Sequence, residues 1–198
     1  MEIKRATELG DNIQETISEI FVDAYGKDLA FFSKDKEKLI KAFTHMFVPE
    51  YFYMAILDNE IAGMIVCLDK DCFCINHDRK TLVKHLGLCK GAFANTVFRS
   101  YFNKYPKYPM ELDEKTASVE FVSTRTKYKK RGVATAIMNY LFALPEYENY
   151  VLEVADTNVN AVELYKKLGY KEECRKKLGF IARKYSGVNY FVYMKYSK

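Results

Sequence analysis

The stretch TKYKKRGVATAIMNYLF, residues 126–142, places a cluster of basic residues and a single glycine directly before an amphipathic helix pattern. Apolar side chains recur at helical spacing from Val133 to Leu144, so one face of this helix is expected to pack against a sheet. No Ser, Thr, Asp or Asn stands immediately before the helix to cap it, and its first backbone N–H groups therefore lack a side-chain acceptor. Because the helix dipole adds a positive potential at this end, the pattern favours an anionic ligand.

Phosphate is the anion that this loop suits best. Gly132 lets a ligand approach the backbone closely, and Lys127, Lys129, Lys130 and Arg131 crowd the same turn. The loop has a single glycine, whereas the P-loop of nucleotide hydrolases and the dinucleotide fingerprint both need more. The alternative is a solvated basic loop whose amides bind water, and the spacing alone leaves both interpretations open.

The first half of the chain predicts a strand, two helices and a β-hairpin. EIKRAT, residues 2–7, has the alternation of a short strand, and residues 12–25 carry isoleucines and a phenylalanine at helical spacing. Ser33 is expected to cap the second helix, which Pro49 follows. Residues 51–69 contain two β-rich runs that meet at an Asp-Asn pair, which is typical of a hairpin.

Residues 70–115 interrupt this pattern and are interpreted as an insertion that contains one long helix-like stretch. From Thr116 the pattern is regular again, with a β-rich run, the basic loop and its helix, a strand over 150–156, a helix over 158–168 and two final β-rich runs. The second half of the chain therefore predicts the order β-α-β-α-β-β.

The composition is that of an ordinary globular protein, and the 198 residues are expected to form a single domain, residues 1–198. The net charge of +5 is interspersed with 26 acidic residues, which favours a local anion site, and no nucleic-acid partner is expected. The start of the chain is charged, no apolar run is long enough for a membrane span, and the five cysteines are an odd number. We therefore expect a cytoplasmic protein with no membrane association and no disulfides.

Two motifs together resemble the GNAT superfamily of acetyl-CoA-dependent N-acyltransferases. KKRGVA, residues 129–134, is similar to the family's pyrophosphate loop, which reads Gln or Arg, two residues, Gly, one residue, then Gly or Ala; Lys129 departs from the first position. NVNAVELYKKLGY, residues 158–170, resembles the family's Asn-x-x-Ala-x-x-Leu-Tyr-x-x-Leu-Gly-Phe/Tyr helix at every signature position. The resemblance implies an α+β (mixed α/β) fold of GNAT type, with a central, mostly antiparallel mixed sheet flanked by helices and a helical insertion between the third and fourth strands.

The same resemblance implies acetyl-CoA as co-substrate, and no metal is expected. The backbone amides of the loop would bind its pyrophosphate, and Thr124 falls where a backbone N–H polarises the acetyl carbonyl. Asn158 matches the family's coenzyme-contacting asparagine and is also a natural N-cap, two roles that are compatible. The predicted cofactor-binding residues are Thr124, Lys129, Arg131, Gly132, Val133, Ala134, Thr135 and Asn158.

Acetyl transfer from a thioester to an amine needs a base for the amine, a stabiliser for the oxyanion and an acid for the thiolate. Tyr165 resembles the family's tyrosine near the coenzyme sulfur and is the predicted acid, although its place on an apolar helix stripe also suits a core residue. Glu120 and Glu153 stand in otherwise apolar strands, where burial raises a carboxyl pKa towards the useful range. Either glutamate, or both through water, is the predicted base; a salt-bridged or edge strand residue is the alternative for each.

The acceptor is expected to be a primary amine of a small molecule or of a protein, acetylated by direct transfer in a ternary complex. A non-catalytic acyl-CoA-binding or regulatory module on the same fold is the alternative function. The cysteines and histidines of the insertion match no familiar zinc spacing. Several aromatic residues would either wall a small-amine pocket or complete a core and a homodimer face, and the sequence leaves both open: Tyr25, Phe31, Phe32, Tyr51, Tyr53, Tyr101, Tyr105 and Tyr108.

Overall fold

The structure, a computed structural model, describes residues 1–102 and 108–198 and contains a seven-stranded sheet within them. The strands are β1 (Glu2–Arg5), β2 (Phe52–Leu57), β3 (Glu60–Leu68), β4 (Thr116–Thr124), β5 (Asn149–Ala155), β6 (Lys171–Lys177) and β7 (Tyr190–Ser197). Their order across the sheet is β1-β2-β3-β4-β5-β7-β6, and every neighbouring pair is antiparallel except β4 and β5, which are parallel. The predicted α+β fold with a mostly antiparallel mixed sheet is therefore confirmed.

Helices flank this sheet on both faces. Within the described ranges they are α1 (Ile13–Leu29), α2 (Lys36–Phe43), α3 (Arg79–Leu86), α4 (Leu88–Phe102), α5 (Val133–Phe142), α6 (Val159–Lys167) and α7 (Phe180–Ser186). Because α3 and α4 lie between β3 and β4, the predicted helical insertion between the third and fourth strands is confirmed. Residues 103–107 of that insertion lie outside the described residues. In the part of the chain that the structure describes, none of the helices is long and apolar enough to span a bilayer.

Three local predictions are wrong. Asp35 rather than Ser33 caps α2, since its carboxylate accepts a hydrogen bond from the Lys38 amide at 3.2 Å while the Ser33 hydroxyl accepts one from the Asp35 amide. The helix-like stretch of the insertion is split at Gly87, whose φ of 85° ends α3. The predicted order β-α-β-α-β-β omits α7, which lies between β6 and β7. Its seven residues are too few to show a helical period in the sequence.

The sheet separates two apolar layers. On one face, helices α1 to α4 pack over β2, β3 and the second half of β4, and Phe21 makes ring contacts there with Phe43, Phe47 and Phe121. On the other face, α5 and α6 pack over the central strands. Burial of each large apolar side chain contributes about 1.5–3 kcal/mol, so both layers stabilise the fold substantially. The layers place α5 and α6 on the opposite face from the insertion helices.

The parallel strands β4 and β5 pair over only four residues each. Thr116–Val119 lies beside Asn149–Leu152, and beyond these positions the pairing of β4 continues with β3. A register shift in that pairing accompanies Phe121, whose φ of 47° costs about 1–2 kcal/mol for a residue with a side chain. Contacts of the buried Phe121 ring with Phe21 and Phe52 offset this cost. The two parallel strands consequently leave an opening beyond Val119 and Leu152.

Helix α5 approaches the sheet closely at Gly63 of β3. A Cβ atom added to Gly63 would lie 2.5 Å from the Ser123 carbonyl oxygen and 2.8 Å from Cγ1 of Val133. Atoms do not pack this closely, and the first of these neighbours is backbone that cannot rotate away. The absence of a side chain at Gly63 therefore allows the start of α5 to lie against β3 and β4.

Gly63→Ala is expected to lower the free energy of unfolding by about 1–3 kcal/mol, because overpacking against backbone has little room to relax. Urea unfolding followed by circular dichroism measures this change. Gly26→Ala is the matched control: it lies in α1, nothing is within 4 Å of the added Cβ, and alanine improves helix propensity by about 0.5–1 kcal/mol. Equal stability of the two variants would contradict the close approach of α5 to the sheet.

Candidate active site

A cavity of about 570 Å³ opens where β4 and β5 separate. Both strands contribute to its wall, together with α1, α6, β7 and the segment that follows β6. The three predicted catalytic residues Glu120, Glu153 and Tyr165 line this cavity, and Asn158 at the start of α6 lines it as well. The fold therefore brings four sequence-predicted residues from three elements into one cavity.

The two glutamates face the same side of the sheet. On β4, Val119 belongs to the apolar layer under α5 and α6, so the adjacent Glu120 faces the α1–α4 side. On β5, Leu152 and Val154 belong to that same layer, so Glu153 between them also faces the α1–α4 side. Both glutamates are half-buried at the opening between the strands.

Tyr165 reaches the cavity from the opposite face. It lies on α6, is 6% exposed and packs in the apolar layer of α5 and α6. Burial raises the pKa of Tyr165 well above the ordinary tyrosine value, and the neighbouring Tyr25 adds to this effect. The hydroxyl is therefore protonated at neutral pH, as a proton donor must be. Tyr165 is thus both a core residue and part of the cavity wall.

Three further tyrosines lie close to the two carboxylates. Tyr193 of β7 hydrogen-bonds to Glu153, and burial together with this bond raises the tyrosine pKa. The pKa of Tyr25 on α1 is raised to about 12, mainly by burial and further by the charge of Glu120. Tyr108, which follows the insertion helices, is 5% exposed and lies near both glutamates. The sequence singled out Tyr25 and Tyr108 as aromatic candidates but missed Tyr193, whose role depends on its register opposite Glu153.

The other aromatic candidates have different surroundings. Phe32 and Tyr53 are buried in the two apolar layers, whereas Phe31 is 62% exposed. The side chain of Tyr101 and the whole of Tyr105 lie outside the described residues. Tyr25 and Tyr108 therefore line the cavity, and Phe32 and Tyr53 are core residues.

The start of α5 has the form that the sequence predicts. Gly132 is the N-cap residue in a left-handed conformation, with φ of 77°, and no side chain of the described residues caps the helix. Ala136 donates the first helical hydrogen bond, to the Gly132 carbonyl at 2.9 Å, so the amides of Val133, Ala134 and Thr135 precede the regular pattern. A Cβ atom added to Gly132 would meet nothing within 4 Å, which leaves room for a ligand against the loop.

Two of the basic side chains before α5 are bound by the β2–β3 hairpin. Arg131 Nη1 donates a hydrogen bond to Asp58 Oδ2 at 2.9 Å, and Lys127 pairs with Glu60. The ring of the buried Tyr128 lies 5.0 Å from Lys127 Nζ and 5.4 Å from Arg131 Cζ. The Arg131 amide also donates to the Tyr128 carbonyl, at 3.3 Å. Arg131 therefore shapes the loop through both its side chain and its amide, a role that the sequence did not predict.

Three further predicted cofactor residues lie in the loop before α5, at the end of β4 and at the start of α6. Lys129 is exposed in the loop before α5. Thr124 is the last residue of β4 and lies two residues beyond the part of that strand that lines the cavity, residues 119–122. The carboxamide oxygen of Asn158 accepts a hydrogen bond from the Ala161 amide at 3.3 Å, so the predicted N-cap role of Asn158 is confirmed.

Comparison with known proteins identifies a matching sequence family and several similar structures. The model of the acetyltransferase (GNAT) family matches residues 15–170. An N-acetyltransferase from Staphylococcus aureus Mu50 has a similar structure, with 14% identity, coverage of 99% of this chain and 100% of that chain, and a TM-score of 0.62. PH1933 from Pyrococcus horikoshii OT3 is also similar, with 16% identity, coverage of 100% of this chain and 98% of that chain, and a TM-score of 0.58. A ribosomal-protein-alanine N-acetyltransferase from Brucella melitensis has 12% identity, coverage of 100% of both chains and a TM-score of 0.57.

The structural similarities show a shared fold at these low identities, and the search of curated proteins found no match. The family assignment rests on the sequence match, which covers well over half of the chain. The matched residues include β4 and β5 on either side of the cavity, the loop at Gly132 and the whole of α6. The chain therefore belongs to the acetyltransferase (GNAT) family.

Proposed function

We propose that the chain is an N-acetyltransferase that transfers the acetyl group of acetyl-CoA directly to a primary amine of a small molecule or a protein. The observation that carries this proposal is the cavity between β4 and β5, where Glu120, Glu153 and Tyr165 meet from the two faces of the sheet. A base on one side of an opening and an acid on the other suit a reaction in which a nucleophile enters and a leaving group departs. Membership of the acetyltransferase family supports the same reaction class.

In this proposal acetyl-CoA lies along the face that carries α5 and α6. Its pyrophosphate accepts hydrogen bonds from the amides of Gly132, Val133, Ala134 and Thr135, which precede the first helical bond of α5. Each hydrogen bond to a charged group contributes about 1.5–3 kcal/mol, against about 0.3–1 kcal/mol for the helix dipole. The backbone amides therefore dominate, and the side chains of the loop are secondary. Asn158 contacts the coenzyme where it enters the cavity.

The amine enters from the α1–α4 side, which Glu120 and Glu153 face. One carboxylate takes a proton from the ammonium, directly or through water, because only the neutral amine attacks. The nitrogen then forms a C–N bond with the thioester carbon, while a backbone amide at the Thr124 end of β4 stabilises the oxyanion. As the C–S bond breaks, the Tyr165 hydroxyl donates its proton to the thiolate. The remaining surplus proton of the nitrogen restores the tyrosine through solvent. The protonated glutamate then releases its proton to solvent, so the enzyme ends unchanged and one proton is released overall.

Gly132→Ala is expected to weaken acetyl-CoA binding at least tenfold, or about 1.4 kcal/mol. The added Cβ would occupy the space beside the amides and would strain the left-handed backbone. Isothermal titration calorimetry with acetyl-CoA measures the affinity. Gly10→Ala is the matched control, since Gly10 has φ of 88° and equally open surroundings but lies before α1. Undiminished affinity in Gly132→Ala would remove the loop as the pyrophosphate site.

Tyr165→Phe is expected to lower kcat by about 10²–10⁴ with little change in acetyl-CoA affinity, because the ring remains and the proton donor is lost. Release of free coenzyme A thiol across a panel of primary amines measures turnover. Tyr170→Phe is the matched control: Tyr170 is 3% exposed, its ring lies 5.8 Å from that of Tyr165, and its buried hydroxyl has no hydrogen-bond partner among the described residues.

Unchanged turnover in Tyr165→Phe would remove the acid assignment. A wild-type protein that binds acetyl-CoA but releases no thiol with any amine would instead favour the non-catalytic acyl-CoA-binding module.

Glu120→Gln and Glu153→Gln distinguish the two candidate bases. The variant that lacks the base is expected to lose about 10²–10⁴ in kcat near neutral pH. Its activity should recover as the pH rises, because the amine then loses its proton to solvent. The pH profile of thiol release measures this pattern, and Glu163→Gln, an exposed residue of α6, is the control. Full activity of both variants at neutral pH would exclude a carboxylate base.

A further inference from the structure

We infer that Tyr108, at the end of the insertion, forms the inner wall of the acceptor pocket and sets the largest amine that fits. This inference rests on the proposed function, because it assigns a specificity role within the same cavity. Tyr108 belongs to neither of the two cofactor motifs. Its role follows from where the insertion places it between the strands.

Contacts with three strands hold Tyr108 at the point where the pairing of β4 and β5 ends. Its side chain is 5% exposed and packs with Val151 of β5. Its ring meets that of Tyr193 on β7 in an edge arrangement, with 5.9 Å between centroids. Its hydroxyl has a hydrogen bond with Ser118 of β4. The ring is therefore fixed across the opening by packing and by a satisfied hydroxyl.

The two candidate bases line the same cavity as this ring. Burial raises the Tyr108 pKa well above its ordinary value, and the charges of Glu120 and Glu153 both raise it further. An amine held by either carboxylate consequently has the Tyr108 ring as a neighbour. The face of an aromatic ring attracts an ammonium group and also packs against hydrocarbon. The Tyr108 ring can therefore contact both the ammonium group and the hydrocarbon part of a short alkyl or aryl amine.

A second cavity of about 810 Å³ lies behind Tyr108. Its wall includes Lys70, Met110, Val151 and Lys195. Among the described residues, Tyr108 alone lines both this cavity and the one that contains the glutamates. Truncation of the Tyr108 side chain would therefore join the two cavities. An acceptor too long for the first cavity would then extend into the second.

The test compares wild type, Tyr108→Phe and Tyr108→Ala with a series of unbranched primary alkylamines and phenylalkylamines of increasing length. Wild type and Tyr108→Phe are expected to share one length limit, beyond which KM rises steeply, because both retain the ring. In Tyr108→Ala the limit should move to longer amines, with kcat/KM for the longest amine raised at least tenfold relative to the shortest. Met110→Ala is the matched control, since it enlarges the second cavity and leaves the wall in place.

The outcomes separate this inference from the proposed function. An active Tyr108→Ala enzyme with the wild-type length limit, or a limit that moves equally in Met110→Ala, would overturn the role of Tyr108 while leaving the transferase activity established. A wild-type protein inactive with every amine would overturn the proposed function and, with it, the inference. If the melting temperature shows that Tyr108→Ala does not fold, Tyr108→Leu takes its place. A length limit that moves to longer amines would then support the role of Tyr108, and an unchanged limit would overturn it.

Discussion

The short pairing of β4 with β5 is the constraint on which the candidate site depends. If the parallel ladder continued beyond Val119 and Leu152, backbone hydrogen bonds would close the sheet and no cavity would connect its two faces. Phe121 lies just beyond Val119, the last residue of β4 that pairs with β5. Its left-handed backbone costs about 1–2 kcal/mol, and burial of its ring in the aromatic layer under α1 contributes about as much or more in the opposite direction. The core thus stabilises the irregular strand that creates the site.

The opening also separates two kinds of chemistry. The uncapped start of α5 and the phenol of Tyr165 belong to one face, whereas the carboxylates of Glu120 and Glu153 belong to the other. Burial keeps the phenol protonated, as its raised pKa shows. The half-buried glutamates line the cavity. In the proposed reaction, this arrangement places the proton donor and the proton acceptor on opposite sides of one carbonyl carbon.

The sequence predicts those parts of the molecule that depend on local pattern. The strands, the uncapped N-terminus of α5 at Gly132 and the cap of α6 at Asn158 follow from periodicity and from residue types within one turn. The pairing of Arg131 with Asp58 and the position of Tyr108 in one cavity with two glutamates depend on residues far apart in the chain, which no local pattern brings together. The same limit explains the cap of α2, where two adjacent polar residues compete and only the geometry selects Asp35.

The most direct test of the central claim is a crystal structure of the chain with bound coenzyme A. We expect the pyrophosphate oxygens to accept hydrogen bonds from the amides at the start of α5, between Gly132 and Thr135. The thiol sulfur should lie in the opening between β4 and β5, within hydrogen-bond distance of the Tyr165 hydroxyl. A pyrophosphate bound away from Gly132, or a thiol that does not enter the opening beside Tyr165, would contradict the claim that these strands and this loop form one acetyl-transfer site.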